Sequence, residues 1–252
     1  MQQLEIKNIS KSFENKCVLS DVNLTINPGE IVALLGVSGG GKTTLFNIIA
    51  GLLTPDEGDV ILDGESIVDK PGRISYMLQK DLLLPHKTVI DNISLPLVLK
   101  GVKKKEARET AMTYLDSFGL KGYEEKHPSE LSGGMRQRAA LLRTYLFSGE
   151  AALLDEPFSA LDTLTRTSMH EWYLSVMEDI KLATVFITHD IDEAILLADR
   201  VAILAPKDRY SGKVRNSTIT DIIPIENREK KDKDYLLTEE FLEYKREIVK
   251  LL

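Results

Sequence analysis

The segment Gly36-Val37-Ser38-Gly39-Gly40-Gly41-Lys42-Thr43 constrains this chain more than any other. It matches G-x-x-x-x-G-K-[ST], and the spacing has a physical reason. Glycines let the backbone curl until successive N–H groups face one concavity, which forms a nest for an anion. A helix beginning near Lys42 adds its positive dipole end at the same point. Lys42 then reaches β- and γ-phosphates, and the Thr43 hydroxyl is placed to ligate Mg²⁺. The loop follows the apolar run Ile31–Leu35, and a helical pattern opens behind it at Thr44–Ala50. Nucleotide binding is the expectation.

A chain of 252 residues can bury a large core. Continuous apolar runs at Ile31–Leu35, Ile74–Leu78, Ala151–Leu154, Thr184–Ile187 and Val201–Leu204 fit strands buried on both faces. Helical spacing between several of them predicts a mostly parallel sheet with crossover helices, an α/β fold. The first thirty residues alternate instead, as in Leu4, Ile6 and then Val22, Leu24, Ile26, which predicts antiparallel strands. From about Leu82 to Ser148 no strand-like run occurs. Lys103–Phe118 reads as a helix with Gly119 as its cap, and Ser132–Ser148 as a second. A helical lobe inserted into the α/β core is expected there. Beyond the charged stretch Glu226–Asp234, residues Leu237, Phe241, Tyr244, Ile248 and Leu252 share one helical face. That face packs on its own domain or serves a partner.

The totals exclude some classes. A formal net charge of -7 argues against nucleic acid as the main partner. The single cysteine, Cys17, cannot form an internal disulfide, which points to a reducing compartment. Met1–Glu5 has no secretory character. The longest apolar candidate, Ala194–Ala205, is broken by Asp199 and Arg200. It falls short of the roughly 18 residues of a span. If the protein serves a membrane, the cytoplasmic face is where it is expected.

Ala151–Leu154 ends in Asp155-Glu156. Two adjacent carboxylates at the end of a buried strand are costly to desolvate without a partner. Mg²⁺ suits Asp155, while Glu156 is placed to polarise an attacking water. An ordinary solvated strand end is the alternative, and the phosphate loop argues against it.

Leu131-Ser132-Gly133-Gly134-Met135-Arg136-Gln137-Arg138 resembles the signature LSGGxxQR of ABC ATPases at every characteristic position. Physically it is a second anion site, small residues exposing N–H groups at a helix start. The resemblance spans about residues 1 to 205. It implies a P-loop NTPase core at 1–81 and 149–206, with an antiparallel β subdomain. An α-helical subdomain at 82–148 and a tail with a helix at 207–252 complete the expected division. It further implies that Ser132, Gly133, Gly134 and Gln137 meet the nucleotide of a second copy, arranged head to tail. Gln79, after the strand Arg73–Leu78, is similar to the family's glutamine that contacts Mg²⁺ and the attacking water. Ser159-Ala160-Leu161-Asp162 resembles the loop whose aspartate couples the two sites. His189 resembles the histidine that touches the γ-phosphate. Phe13 sits where the family stacks a ring on adenine, although an aromatic in a β region also serves as core.

The expected sites are therefore explicit. ATP is held by Phe13, Gly36, Ser38, Gly39, Gly40, Gly41, Lys42, Thr43 and Thr44, with Ser132, Gly133, Gly134, Gln137 and Asp162 from the opposing copy. Thr43, Gln79 and Asp155 ligate Mg²⁺. Glu156, His189, Lys42 and Gln79 carry hydrolysis. Tyr76–Pro85, Arg143-Thr144-Tyr145 and Asp190–Ala194 are similar to importer subunits for nitrate, sulfonate, taurine and thiamine precursors. That likeness implies a separate membrane permease and, indirectly, an extracytoplasmic binding protein. A soluble ABC ATPase without a transport role is the alternative. Val37 replaces the family's common proline and Gly40 its common serine or cysteine, at positions that supply no required side chain.

Overall fold

The computed structural model describes residues 3–14, 16–148, 151–180, 182–206, 216–226 and 234–252. Its centre is a five-residue strand with no exposed position. Strand β3 (Ile31–Leu35) is buried throughout. It lies parallel between β8 (Ala183–Ile187) and β9 (Arg200–Pro206). Beyond β8 come β7 (Ala151–Asp155) and β6 (Ser75–Met77), also parallel. Alternate side chains of β3 leave on opposite faces. Val32 and Leu34 join a cluster with Leu45, Phe46 and Ile49 of α1 (Lys42–Ile49). Ile31, Ala33 and Leu35 join the other cluster, which runs under the remaining helices. Each such aliphatic burial contributes about 1.5–3 kcal/mol, so both faces favour this strand at the sheet centre.

The predicted antiparallel part is present. Strand β1 (Leu4–Phe13) pairs with β2 (Lys16–Ile26), Leu4 opposite Ile26, and with β4 (Glu57–Leu62), Leu4 opposite Leu62. The short β5 (Glu65–Ser66) closes that edge. Among the described residues the sheet has ten strands in the order β5-β4-β1-β2-β10-β9-β3-β8-β7-β6. The joining element is β10 (Ser217–Pro224), antiparallel to β9 and touching β2 at Ser217 opposite Leu19. It falls within the stretch read from sequence as a tail with a helix. Its residues, Ser-Thr-Ile-Thr-Asp-Ile-Ile-Pro, are only partly buried and give no continuous apolar run. Residues 227–233 of the charged stretch lie outside the described residues.

The helical segment comprises α2 (Val89–Ile93), α3 (Leu95–Leu99), α4 (Lys104–Met112) and α5 (Gly133–Ser148). Helix α4 stops at Met112 rather than reaching Phe118. There the N–H groups of Thr113, Tyr114 and Leu115 donate back three residues, to Thr110, Ala111 and Met112, and the Thr113 hydroxyl also donates to the Thr110 carbonyl. Trp172 Nε1 donates to the Ser117 carbonyl at 2.9 Å, which holds the chain in turns. Trp172 belongs to α6 (Thr163–Ile180). Helix α7 (Ile191–Leu197) packs beneath β3, and α8 (Glu239–Leu251) packs on α7. Phe241 and Ile248 of α8 are buried. Leu237 is not part of that helix; it lies in the preceding turn, 83% exposed. Among the described residues no helix is long and apolar enough to cross a membrane.

Candidate active site

Between the end of β3 and the start of α1 the backbone reverses through Gly39 (φ 74°) and Gly41 (φ 94°). These left-handed conformations favour glycine. Gly36 is required for another reason: a Cβ there would stand 2.3 Å from the Leu204 carbonyl oxygen of β9. Gly41 precedes α1 and offers no side-chain cap, so the first N–H groups of the helix have no capping partner from it. The loop and helix line a cavity of about 380 Å³ with Phe13, Ser38, Gly39, Gly40, Gly41, Lys42, Thr43, Thr44, Asp155 and Glu156. Val18 and Ile187 complete it. Sequence reasoning passed over these two; Val18 is reached only because the β1–β2 hairpin sets Ser12 opposite Cys17.

Lys42 Nζ donates to the carbonyls of Gly36 (2.7 Å) and Val37 (3.1 Å), so its ammonium is curled over its own loop. Burial pushes its proton affinity down, while Glu156 and then Asp155 pull it back up. Asp155 is the mirror case. Burial and the neighbouring Glu156 raise its pKa, and Lys42 opposes them. Two crowded carboxylates beside one half-buried lysine make a site that gains from further positive charge.

Glu156 sits at φ 48°, a left-handed position for a residue with a Cβ, and its N–H donates to the Ile187 carbonyl at 2.9 Å. This turns its carboxylate out of the strand. Gln79 Nε2 donates to Glu156 Oε2 at 2.7 Å, and His189 Nδ1 lies 3.4 Å from Glu156 Oε1. Two residues from two other loops thus converge on the Glu156 carboxylate. Glu156 lines the nucleotide-sized cavity and also an adjoining recess of about 850 Å³. Gln79, His189, Gly133 and Gln137 line only the recess.

The signature segment reaches the adjoining recess but not the cavity at the phosphate loop of its own chain. None of Ser132, Gly133, Gly134, Gln137 and Asp162 lines the cavity at Lys42. Ser132 Oγ accepts from the Met135 N–H at 3.3 Å, an N-terminal cap for α5. Asp162 caps α6 through the Thr165 N–H (3.1 Å), and bonds from the Thr165 side chain and backbone lower its pKa. Gln137 points inward. It is 5% exposed, and its Nε2 donates to the Pro157 carbonyl at 2.7 Å, bracing the turn that follows Glu156. Arg143, on the same helix, holds the segment after Gln79 by donating to the carbonyls of Asp81 and Leu82.

No group of three or more His, Cys, Asp or Glu side chains able to hold a metal occurs among the described residues. A divalent ion at Asp155 and Thr43 would need phosphate oxygens and water as its remaining ligands.

Residues 19–159 match the family model described as ABC transporter. The chain belongs to the ABC transporter family. This ABC cassette is 46% identical over 201 residues to the formylaminopyrimidine import ATP-binding protein ThiZ of Halalkalibacterium halodurans, covering 79% of this chain and 78% of that one. It is 36% identical over 255 residues to the nitrate import ATP-binding protein NrtD of Synechocystis, covering 99% and 94%. Its fold is similar to the dimeric structure of MJ0796, a bacterial ABC transporter cassette, with TM-score 0.71 and 28% identity over 89% of this chain and 99% of that one. A second structure of MJ0796, in a post-hydrolysis state bound to ADP and Pi, is as close, with TM-score 0.70, 28% identity and the same coverage. The cassette is an ATP-binding ATPase.

Proposed function

We propose that the chain is the energising subunit of an importer, working as a head-to-tail pair of copies. The observation that carries this is the separation within one chain: the cavity at Lys42 is lined by no signature residue, while Gly133 and Gln137 reach only the adjoining recess. A second copy, rotated by a two-fold axis, brings each segment to the other's nucleotide. The dimeric structure of the similar cassette MJ0796 supports a pair of copies.

In this reading ATP lies in the cavity with its adenine on Phe13 and its phosphates on Ser38–Thr44. Thr43, Asp155 and Gln79 hold Mg²⁺, which when bound neutralises phosphate charge. Asp155, crowded by Glu156, fits that role. Glu156 takes the proton of the attacking water, positioned by the Gln79 and His189 contacts. Lys42 moves from its loop carbonyls to the phosphates, and with His189 it stabilises charge that develops on them. Ser132, Gly133 and Gly134 of the opposing copy close over the γ-phosphate, with Gln137 and Asp162 supporting the contact. ATP thereby favours the closed pair, and hydrolysis releases it.

Transport is supported by the import relatives and by the surface. Leu52, Leu82 and Leu99 stand exposed around a groove of about 420 Å³ that Ile74 and Arg143 also line, a surface suited to an apolar partner such as a permease loop. The cargo class proposed is a small anion, sulfonate or vitamin precursor, delivered by a separate binding protein.

The test is the Glu156→Gln variant with ATP. Light scattering should give twice the monomer mass, with hydrolysis nearly abolished. A monomer in saturating ATP, or turnover at the wild-type rate, would sink the proposal.

A further inference from the structure

Glu193 of α7 is 4% exposed, and a carboxylate taken out of water has to be paired. Its Oε1 lies 3.0 Å from Nε2 of His170, and its Oε2 accepts from the Thr188 hydroxyl. The Asp190 N–H donates to that same hydroxyl at 3.0 Å, so the single hydroxyl proton is directed to Glu193. A carboxylate only accepts, which puts the donated proton on His170 Nε2. A continuous chain of bonds therefore runs from α6 into the turn 188–190. His189 is the middle residue of that turn.

The imidazole also meets the other loop. The Phe158 ring packs edge-on against His170 at 5.0 Å between centroids, and against Tyr173 of the same helix at 5.6 Å. Phe158 is two residues past Glu156 and is 2% exposed. His170 thus touches one loop through Phe158 and the other through Glu193 and Thr188, yet lines neither recess of the site.

We propose that His170 is a positioning residue for ATP hydrolysis, holding the loops of Glu156 and His189 in register so that those two side chains meet at 3.4 Å. It rests on the roles proposed for Glu156 and His189. Its reach, not its charge, is the property required.

Glutamine carries an amide nitrogen out to the position of imidazole Nε2, whereas asparagine stops at the position of Nδ1. Steady-state hydrolysis by the full chain with Mg-ATP separates them. His170→Asn is expected to lower kcat about tenfold, the scale of a small misplacement of reacting groups. Its KM for ATP should stay within about twofold, because no phosphate contact is altered. His170→Gln should turn over close to the wild-type rate. Equal rates for the two variants, or a loss confined to KM, overturns the proposal. If His170→Asn does not fold, Thr188→Val breaks the same chain from its other end and should lower kcat alone; an unchanged kcat overturns it equally. His189→Ala is the control. A wild-type rate there removes the role of His189 and with it this inference, while a slow His189→Ala beside a normal His170→Asn removes only the positioning role.

Discussion

Gln79 and Glu156 are 77 positions apart in sequence and are joined by a 2.7 Å hydrogen bond from the amide Nε2 to the carboxylate Oε2. The bond crosses from the end of β6 to the end of β7, neighbours at one edge of the parallel sheet. The segment that follows Gln79 is tied to α5 by Arg143, and α5 begins at the signature. A continuous path of contacts therefore runs from the helical segment to the Glu156 carboxylate.

That link predicts the behaviour of Gln79→Ala. The amide orients Glu156 but does not line the cavity at Lys42. Loss of one orienting contact should lower kcat about tenfold. KM for Mg-ATP should change less than kcat, since the phosphate loop is untouched and Thr43 and Asp155 remain as the proposed Mg²⁺ ligands. Initial-rate kinetics over a range of ATP concentrations reads both values.

Gly36→Ala tests the close approach of the phosphate loop to β9. Its Cβ would lie 2.3 Å from a backbone carbonyl oxygen, which cannot rotate away. Overpacking of this kind costs about 1–3 kcal/mol. Urea unfolding should show that loss, and nucleotide affinity should fall with it. Gly39→Ala meets open space and pays only for its φ of 74°, about 1 kcal/mol.

Asp155 gives a pH signature. Burial and the charge of Glu156 raise its pKa in the folded chain above the ordinary 3.8. The folded state therefore holds its proton more tightly than the unfolded chain. Stability from this group is full below 3.8 and is lost as pH rises through the raised value. Without nucleotide, Asp155→Asn should be more stable than the natural protein at neutral pH, and the difference should shrink as pH is lowered toward 3.8. Urea midpoints across that window measure it. A gap that widened on acidification would contradict the assignment.

Phe241 decides what the terminal helix does. Its ring is 2% exposed, against Tyr235, and Lys245 of the same helix pairs with Asp192 of α7. Phe241→Ala should cost about 3 kcal/mol of stability in the isolated chain, as for a core aromatic. A thermal melt of the chain alone reads this; an unchanged melting temperature would assign the helix to a partner instead.

Much of this molecule was legible in the residues because the signals are local. A glycine loop between a buried strand and a helix, and the apolar runs of β3, β6, β7, β8 and β9, need no knowledge of neighbours. Local patterning also gave the alternation of β1 and β2. It failed where a neighbour decides the outcome. Helix α4 gives way after Met112 to three-residue turns, and Trp172, far along the chain, donates to the Ser117 carbonyl in the stretch read as helix. Strand β10 exists because β9 and β2 leave a gap that eight half-polar residues fill.

By itself the sequence determined which chemistry is present: glycines for an anion nest, Lys42, the Asp155–Glu156 pair, and a second glycine-bearing helix start at Ser132. Tertiary structure alone decided how these are distributed. It gathered Gln79 and His189 onto Glu156, turned Gln137 inward to Pro157, and kept the signature away from the chain's own phosphate loop. Distance between loops is set by sheet order and core packing, which sum over the whole chain, and no short motif encodes that sum.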